Sequence, residues 1–340
     1  MGTTVDQTDS MLVLVTGATG AVGPRMVEAL HEAGYRIRTL SLDPPPAATW
    51  PNEIETRVGD ITDPVAVKSA VQGVDAVVHL AALLHIINPS PRLQESYLRI
   101  NVGGTTNVIN AAVREDVRRV LYFSTIAVYG DSGGCVLNED APPNPMTFYE
   151  RTKLDAERIV LSARDAHNRR IGTVLRLAAV YGSRIKGNYR QLLKALAKSR
   201  FIRIGNGENR RTLIYDKDVA HAAMLALEHP SAGGKIFNVS DGEFHTINHI
   251  ISAMCAALGR KVPPFSLPER PARFAAGMME GIFRVFRRES PISCASIEKF
   301  TEDMAVDSRR IQEELGFRAH YGLEAGWKDT VQELRREGKL

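Results

Sequence analysis

MLVLVTGATGAVGP, residues Met11 to Pro24, is the stretch whose reading decides the fold. Met11 to Val15 are apolar without a break, glycines follow at 17, 20 and 23, and an apolar helical pattern then runs through Val27 and Leu30. A short, wholly apolar run closed by glycine reads as a buried parallel strand, and the segment after it as the helix that crosses back over the sheet. Glycine permits a turn with positive φ and leaves room for a pyrophosphate at the helix N-terminus, where unpaired N–H groups and the dipole favour an anion. The spacing is G-x-x-G-x-x-G, one residue looser at the front than the usual dinucleotide fingerprint.

Working outward, the first half of the chain keeps a strand–helix beat. Tyr35 to Leu42 reads as a second strand, followed by the breaker Pro44-Pro45-Pro46, and Ile54 to Val58 as a third. Asp63 is placed to cap a helix that begins at Pro64 and runs through Val71. Asp75 to Leu80 is a fourth strand, Leu93 to Arg114 a helix, and Val120 to Ser124 a fifth strand. A helix from Tyr149 to Asn168 and a strand from Gly172 to Leu177 complete the beat. This alternation predicts an α/β fold: a Rossmann-type, doubly wound parallel sheet with ligands beyond the carboxyl ends of its strands. Past Gly182 the pattern breaks into turn-rich pieces, which assigns a smaller C-terminal substrate-binding lobe. The expected division is a lead-in over 1–10, a dinucleotide-binding domain over 11–182 completed by about 211–240, and a substrate lobe from 183–210 and 241–340. Arg211 to His229 is read as a strand and helix returning to the main sheet.

Composition narrows the class. The chain has 340 residues, 44% hydrophobic and 24% charged, and a formal net charge of +4. Its basic residues are scattered among acids, which argues against a nucleic-acid partner. Cys135, Cys255 and Cys294 lie far apart with no C-x-x-C pair, which points to a reducing, cytoplasmic setting and to no metal site. Residues 1–10 are polar, expected to be disordered, and unlike a signal peptide. No run approaches the ~18 apolar residues that span a bilayer.

The chemistry lies in Tyr149-Glu150-Arg151-Thr152-Lys153 together with Thr125. Positions i and i+4 of a helix share a face, so phenol and ammonium lie side by side, and a nearby cation lowers a tyrosine pKa toward working pH. Thr125, ending the strand LYFST, offers a hydroxyl to the same alcohol or carbonyl.

On these residues the chain resembles the extended short-chain dehydrogenase/reductases, in the NAD-dependent epimerase/dehydratase family, and within it the UDP-sugar 4-epimerases. Further motifs carry the likeness: GDITD (59–63), HLAA (79–82), NVGGTTNVINAA (101–112), FSTIAVYG (123–130), LRLAAVYG (175–182), RTLIYDKDVA (211–220) and FNVSDGE (237–243). The resemblance implies that Gly17, Gly20, Ala21, Val22 and Gly23 cradle the pyrophosphate. It implies that Asp60 and Ile61 flank the adenine, and that Leu80, Ala81 and Ala82 line the nicotinamide-side ribose. Tyr149 would be the acid/base, Lys153 would orient the ribose and tune Tyr149, and Asn101 would support Lys153. Thr125 would take the place commonly filled by Ser or Thr. Arg211 aligns with an arginine that holds a substrate diphosphate, and Asn188 would contact phosphate or uridine. Asp43, about twenty residues after Gly23, could bond a ribose 2′-OH, which favours NAD over NADP. A homodimer through the helices near 93–114 and 149–168 is implied as well.

Departures from the family narrow the reaction. Ile126 and Ala127 stand where dehydratases carry Asp-Glu, and neither can move a proton, so dehydration and decarboxylation are not expected. What remains is NAD-linked 4-epimerisation of a UDP-hexose or UDP-N-acetylhexosamine, in which Tyr149 shuttles the C4 hydroxyl proton. The alternatives are a carbonyl or 4-keto-sugar reductase, or alcohol dehydrogenase, of the same family, and a silent dinucleotide sensor. Last, Phe274, Met278, Ile282 and Val285 form an apolar stripe on a helix over 271–288, with Arg284, Arg287 and Arg288 at its end. It reads as a helix packed on the small lobe, as a lid, or as an interfacial helix on an anionic membrane.

Overall fold

The computed structural model describes residues 11–47, 49–84, 91–285 and 302–340. The lead-in 1–10, Cys294 and residues 286–288 of the basic stripe lie outside the described residues. A seven-stranded, all-parallel sheet forms the centre. Its strands are β1 (Leu12–Thr16), β2 (Arg36–Ser41), β3 (Glu55–Val58), β4 (Ala76–His79), β5 (Arg119–Thr125), β6 (Gly172–Leu177) and β7 (Ile236–Val239). They are ordered β3-β2-β1-β4-β5-β6-β7, so the order reverses between β1 and β4 and opens a ligand crevice at their carboxyl ends. β1, β4 and β6 are buried along their whole length, as strands covered on both faces must be.

Two apolar layers cover the sheet. On one face lie helices Gly23–Glu32 and Asp216–Glu228, with Val27, Leu30, Val219 and Ala223 buried. On the other lie Pro64–Val71, Thr105–Arg114 and Phe148–Ser162, burying Val67, Val108 and Val160. A third core, built on Leu193, Ile251, Met254 and Trp327, joins helices Asn188–Ala197, Ile247–Leu258 and Leu323–Arg336.

Three expectations are corrected. The helix from Tyr149 stops at Ser162, not Asn168. There Asp165 accepts from the backbone N–H groups of His167 and Arg169, and Asn168 takes a positive φ of 62°, which closes the chain into a turn. The helix over 93–114 is interrupted by a π-helical segment, Leu98–Gly104, between α-helical Pro91–Tyr97 and Thr105–Arg114. The Thr105 and Thr106 hydroxyls donate to the carbonyls of Asn101 and Val102, filling acceptors left by the widened turn. Finally, Leu213–Tyr215 pairs with Ala179–Tyr181 in a separate small sheet, and the strand that rejoins the main sheet is β7.

Candidate active site

The glycine loop sits at the carboxyl end of β1, beside the reversal of strand order. Gly17 has φ of 70°, and a Cβ there would stand 2.7 Å from the Ala81 nitrogen. At Gly23 a Cβ would run into the Ala18 carbonyl. The two glycines therefore hold the loop tight against the ends of β1 and β4. Val22 caps the following helix without a side-chain hydrogen bond, and Pro24 occupies its first turn. This is a backbone cradle suited to a pyrophosphate. Gly17→Val is expected to weaken dinucleotide binding at least about tenfold, as calorimetry would measure, because strain and collision fall on the same residue.

Arginines near the second and third strands are engaged away from this rim. Arg38 donates to Glu55 at 2.6 Å and to the Ala70 carbonyl, and Arg57 to Glu55 and to the Ser69 carbonyl. Arg25 donates to Glu333 of the C-terminal helix at 2.6 Å. Asp43 is exposed two residues past the end of β2. Asp60 accepts from the Thr62 nitrogen, and Ile61 is buried against Gly104 of the π-helical segment. Leu80, Ala81 and Ala82 follow β4 directly, and the nitrogens of Leu80 and Ala81 donate to the carbonyl and hydroxyl of Thr16.

Behind the crevice lies a network the sequence reading missed. His79 is buried, with Nδ1 2.7 Å from the Thr16 hydroxyl and Nε2 3.0 Å from that of Thr105. Thr105 spends its proton on the Asn101 carbonyl, so Nε2 donates and Nδ1 accepts. Burial, then the nearby Lys153, hold the His79 pKa down to about 3, so the ring stays a neutral connector. The Asn101 side chain exchanges hydrogen bonds with the Leu83 backbone at 2.7 and 3.1 Å and donates to the Thr152 hydroxyl at 3.2 Å. Its direct hydrogen bonds reach Thr152, next to Lys153, and the segment after β4.

Tyr149 and Lys153 share a helix, as expected, but Lys153 turns inward. Its Nζ donates to the Phe123 carbonyl at 2.6 Å and lies 4.2 Å from the centre of the Tyr122 ring. Burial, followed by the charges of Tyr97 and Glu150, raises the Tyr149 pKa instead of lowering it. For the lysine, burial lowers the pKa from 10.5 to about 7, against the pull of Glu157. Unfolding frees Lys153 to hold its proton at higher pH. The unfolded chain thus binds more protons between about pH 7 and 10.5, and stability must rise with pH across that window. Urea unfolding of dinucleotide-free protein from pH 7 to 9 should show a Lys153-dependent gain approaching ~1.4 kcal/mol per pH unit, absent in Lys153→Met. An identical slope in both proteins would contradict the assignment.

Thr125 and Tyr149 line one cleft of about 390 Å³, which also takes in Asn188. The Thr125 oxygen accepts from the Ala127 nitrogen at 3.2 Å, so its proton can face the cleft. Ala127 lines the wall where a dehydratase carboxylate would be placed. Among the described lining residues the carboxylate is Glu150, and its oxygen accepts from the backbone nitrogens of Met146 and Thr147 in a capping box. Arg211 does not line this cleft. It lies 3.5 Å from Glu302, near Tyr189, whose burial-raised pKa its charge partly offsets. The far wall comes from Lys186, Tyr189 and Arg190 and from Trp327 and Thr330 of the C-terminal helix. No local motif marks Trp327 and Thr330, because tertiary packing alone brings that helix to the site.

Beneath Thr125 runs a buried ion pair. Arg176 Nη2 donates to Glu157 at 2.7 Å, Ser124 Oγ donates to the same carboxylate, and the guanidinium lies 4.6 Å from the Tyr129 ring centre. Away from the cleft, Asp218, His221 and His320 bring ligand-type atoms within 4.8 Å of one another. The Asp218 oxygens accept from the backbone nitrogens of His320 and Tyr321 at 2.9 and 3.0 Å, a structural task.

Comparison with known proteins agrees with this geometry. The model of the family described as NAD dependent epimerase/dehydratase matches residues 13–240. The chain is 30% identical to N-acetyl-alpha-D-glucosaminyl-diphospho-ditrans,octacis-undecaprenol 4-epimerase of Escherichia coli O157:H7, covering 94% of each chain. It is 26% identical to 3-beta-hydroxysteroid dehydrogenase of Mycolicibacterium neoaurum, over 97% of this chain and 93% of the relative. Among solved structures, MoeE5 in complex with UDP-glucuronic acid and NAD superposes with a TM-score of 0.74 at 26% identity, over 96% of this chain and 99% of that one.

Proposed function

Since the chain belongs to the NAD-dependent epimerase/dehydratase family, we propose that it is a 4-epimerase of a nucleotide-diphosphate sugar, a UDP-hexose or UDP-N-acetylhexosamine. The observation that carries this reading is the cleft itself. It joins Thr125 and Tyr149, while among the described lining residues the one carboxylate, Glu150, is engaged and Ala127 carries none for elimination. MoeE5, a similar structure, is complexed with a UDP-sugar and NAD, and a 30% identical relative bears the name of a 4-epimerase.

NAD, when bound, supplies the acceptor and later the donor of the C4 hydride. Gly17, Gly20, Ala21, Val22 and Gly23 would hold its pyrophosphate, Asp43 a ribose hydroxyl, Asp60 and Ile61 the adenine, and Leu80, Ala81 and Ala82 the second ribose. The engagement of Arg25, Arg38 and Arg57 elsewhere supports NAD over a 2′-phosphorylated cofactor. Tyr149 takes the C4 hydroxyl proton and returns it, and Thr125 orients the same oxygen. Lys153, under Tyr149, would hold the ribose. Asn188 opens a helix whose N-terminus, with Lys186 and Arg190 beside it, suits a diphosphate. Arg211 would act behind that wall rather than in it.

We assign residues 11–182, completed by 211–240, to the dinucleotide unit and 183–210 with 241–340 to the substrate lobe. A homodimer through the helices near 93–114 and 149–168 and a cytoplasmic location complete the proposal; light scattering at the dimer mass checks the first. A second reading, an NAD(P)H-dependent alcohol dehydrogenase or carbonyl reductase, is favoured by the similarity to a hydroxysteroid dehydrogenase. A lipid diphosphate in place of UDP is favoured by the name of the E. coli relative. The test is incubation with UDP-galactose or UDP-N-acetylglucosamine and no added dinucleotide, followed by NMR. Equilibration with the 4-epimer supports the proposal, and turnover only with added oxidised dinucleotide, giving one reduced dinucleotide per keto product, moves the weight to the dehydrogenase.

A further inference from the structure

Helix Glu269–Val285 faces the wrong way for a core helix. Its contact with the body is made through Ala272 and Ala276, two small residues one turn apart that pack on Ile204. Met279 and Phe283, further along that side, are half-buried, whereas Phe274 is 72% exposed and Met278 56%. On a 3.6-residue helix, positions 274 and 278 lie opposite 272 and 276, so Phe274 and Met278 form the outer face. The adjoining strand pair, Arg203–Ile204 with Ser266–Leu267, continues this character. Ile202 and Phe265, one residue ahead of each strand, are 55% and 79% exposed. Four large apolar side chains exposed on a helix and on the strand pair it packs against are more than scattered exposure and mark an interaction surface.

The charge around these residues says what the surface meets. Segments 198–204 and 260–285 carry three and five Lys or Arg respectively, against two acids, Glu280 and Glu269, the latter 3.3 Å from Arg273. Arg270, on the same outer side as Phe274, is exposed, as are Arg200 and Lys261. A protein groove would be met by apolar residues inside a mixed polar rim. Large apolar residues bordered by an excess of cations instead match a bilayer with anionic headgroups, where rings enter the acyl boundary and cations remain at the phosphates. No described helix is long and apolar enough to cross a membrane, so contact would be made from one side.

We propose that the outer face of helix Glu269–Val285, with Ile202 and Phe265, docks the protein onto an anionic lipid surface. The docking goes beyond the sugar chemistry and is read without substrate. The full chain is sedimented with vesicles of phosphatidylcholine alone and of phosphatidylcholine containing about a third phosphatidylglycerol. The chain is expected to pellet with the anionic vesicles, to stay in the supernatant with the neutral ones, and to be released by salt. F274S/M278S and R270S/R273S should each reduce the pelleted fraction about tenfold. F274S/M278S should keep wild-type turnover of a soluble substrate, which shows that it folds. Wild-type protein left in the supernatant with anionic vesicles would overturn the proposal, as would equal recovery of the variants. Light scattering in which F274S/M278S alone loses half its mass would also overturn it, since the face would then hold a second copy.

Discussion

Tyr149→Phe should lose about 10²–10⁴-fold in kcat while still binding NAD. The substitution removes one hydroxyl from the cleft wall and leaves the ring, whose contact with Tyr97 at 6.0 Å between centroids persists. The hydrogen bonds described for the glycine cradle and for the Asn101 and His79 network do not include that hydroxyl, so fold and dinucleotide affinity should be kept. In the structure the phenol is neutral, its pKa raised by burial and by Tyr97 and Glu150. Proton transfer therefore needs a cation near Tyr149, and Lys153, on the next turn, can supply it in the protonated form that burial confines to about pH 7 and below. Rates under saturating substrate and a fluorescence titration with NAD separate the two effects. Turnover within about threefold of wild type would remove Tyr149 from the proton path.

The second large effect falls on stability. Arg176→Ala should cost about 3–5 kcal/mol, because it strips a buried Glu157 carboxylate of its guanidinium partner and leaves it the Ser124 hydroxyl and the field of Lys153. Glu157→Ala should cost a similar amount by leaving the guanidinium against the Tyr129 ring with no counter-ion. Replacing both at once, E157L/R176M, should recover much of the loss, since a well-packed apolar pair escapes the desolvation of two ions. Urea denaturation of the three variants measures this, and additive losses in the double variant would contradict it. Ser124 precedes Thr125, so the single variants should also loosen the cleft wall and lower kcat beyond what their stability explains.

Much of this organisation is legible in the sequence because local and global signals agree there. The apolar run before Gly17 became β1, and Asp63 caps Pro64–Val71 with its side chain on the Val65 nitrogen. Where they diverge, tertiary contacts decided. The periodicity over 93–114 is helical, yet the π-helical turn at Asn101 is set by threonine hydroxyls and by Ile61 pressing on Gly104. An i, i+4 spacing put Tyr149 and Lys153 on one helix but not in one environment, because the Phe123 carbonyl and the Tyr122 ring take the ammonium. The stripe at Phe274 and Met278 announced a helix but left its buried side open, which the contact of Ala272 and Ala276 with Ile204 decides. Trp327 and Arg211 illustrate the same limit: which residues line a cleft depends on how distant helices and strands pack.

The central claim, hydride removed from and returned to the same carbon, is tested most directly with UDP-galactose deuterated at C4 and no added dinucleotide. The account predicts UDP-glucose that keeps its deuterium at C4 through many turnovers. Deuterium recovered on released dinucleotide, or a 4-epimer carrying hydrogen at C4, would contradict it.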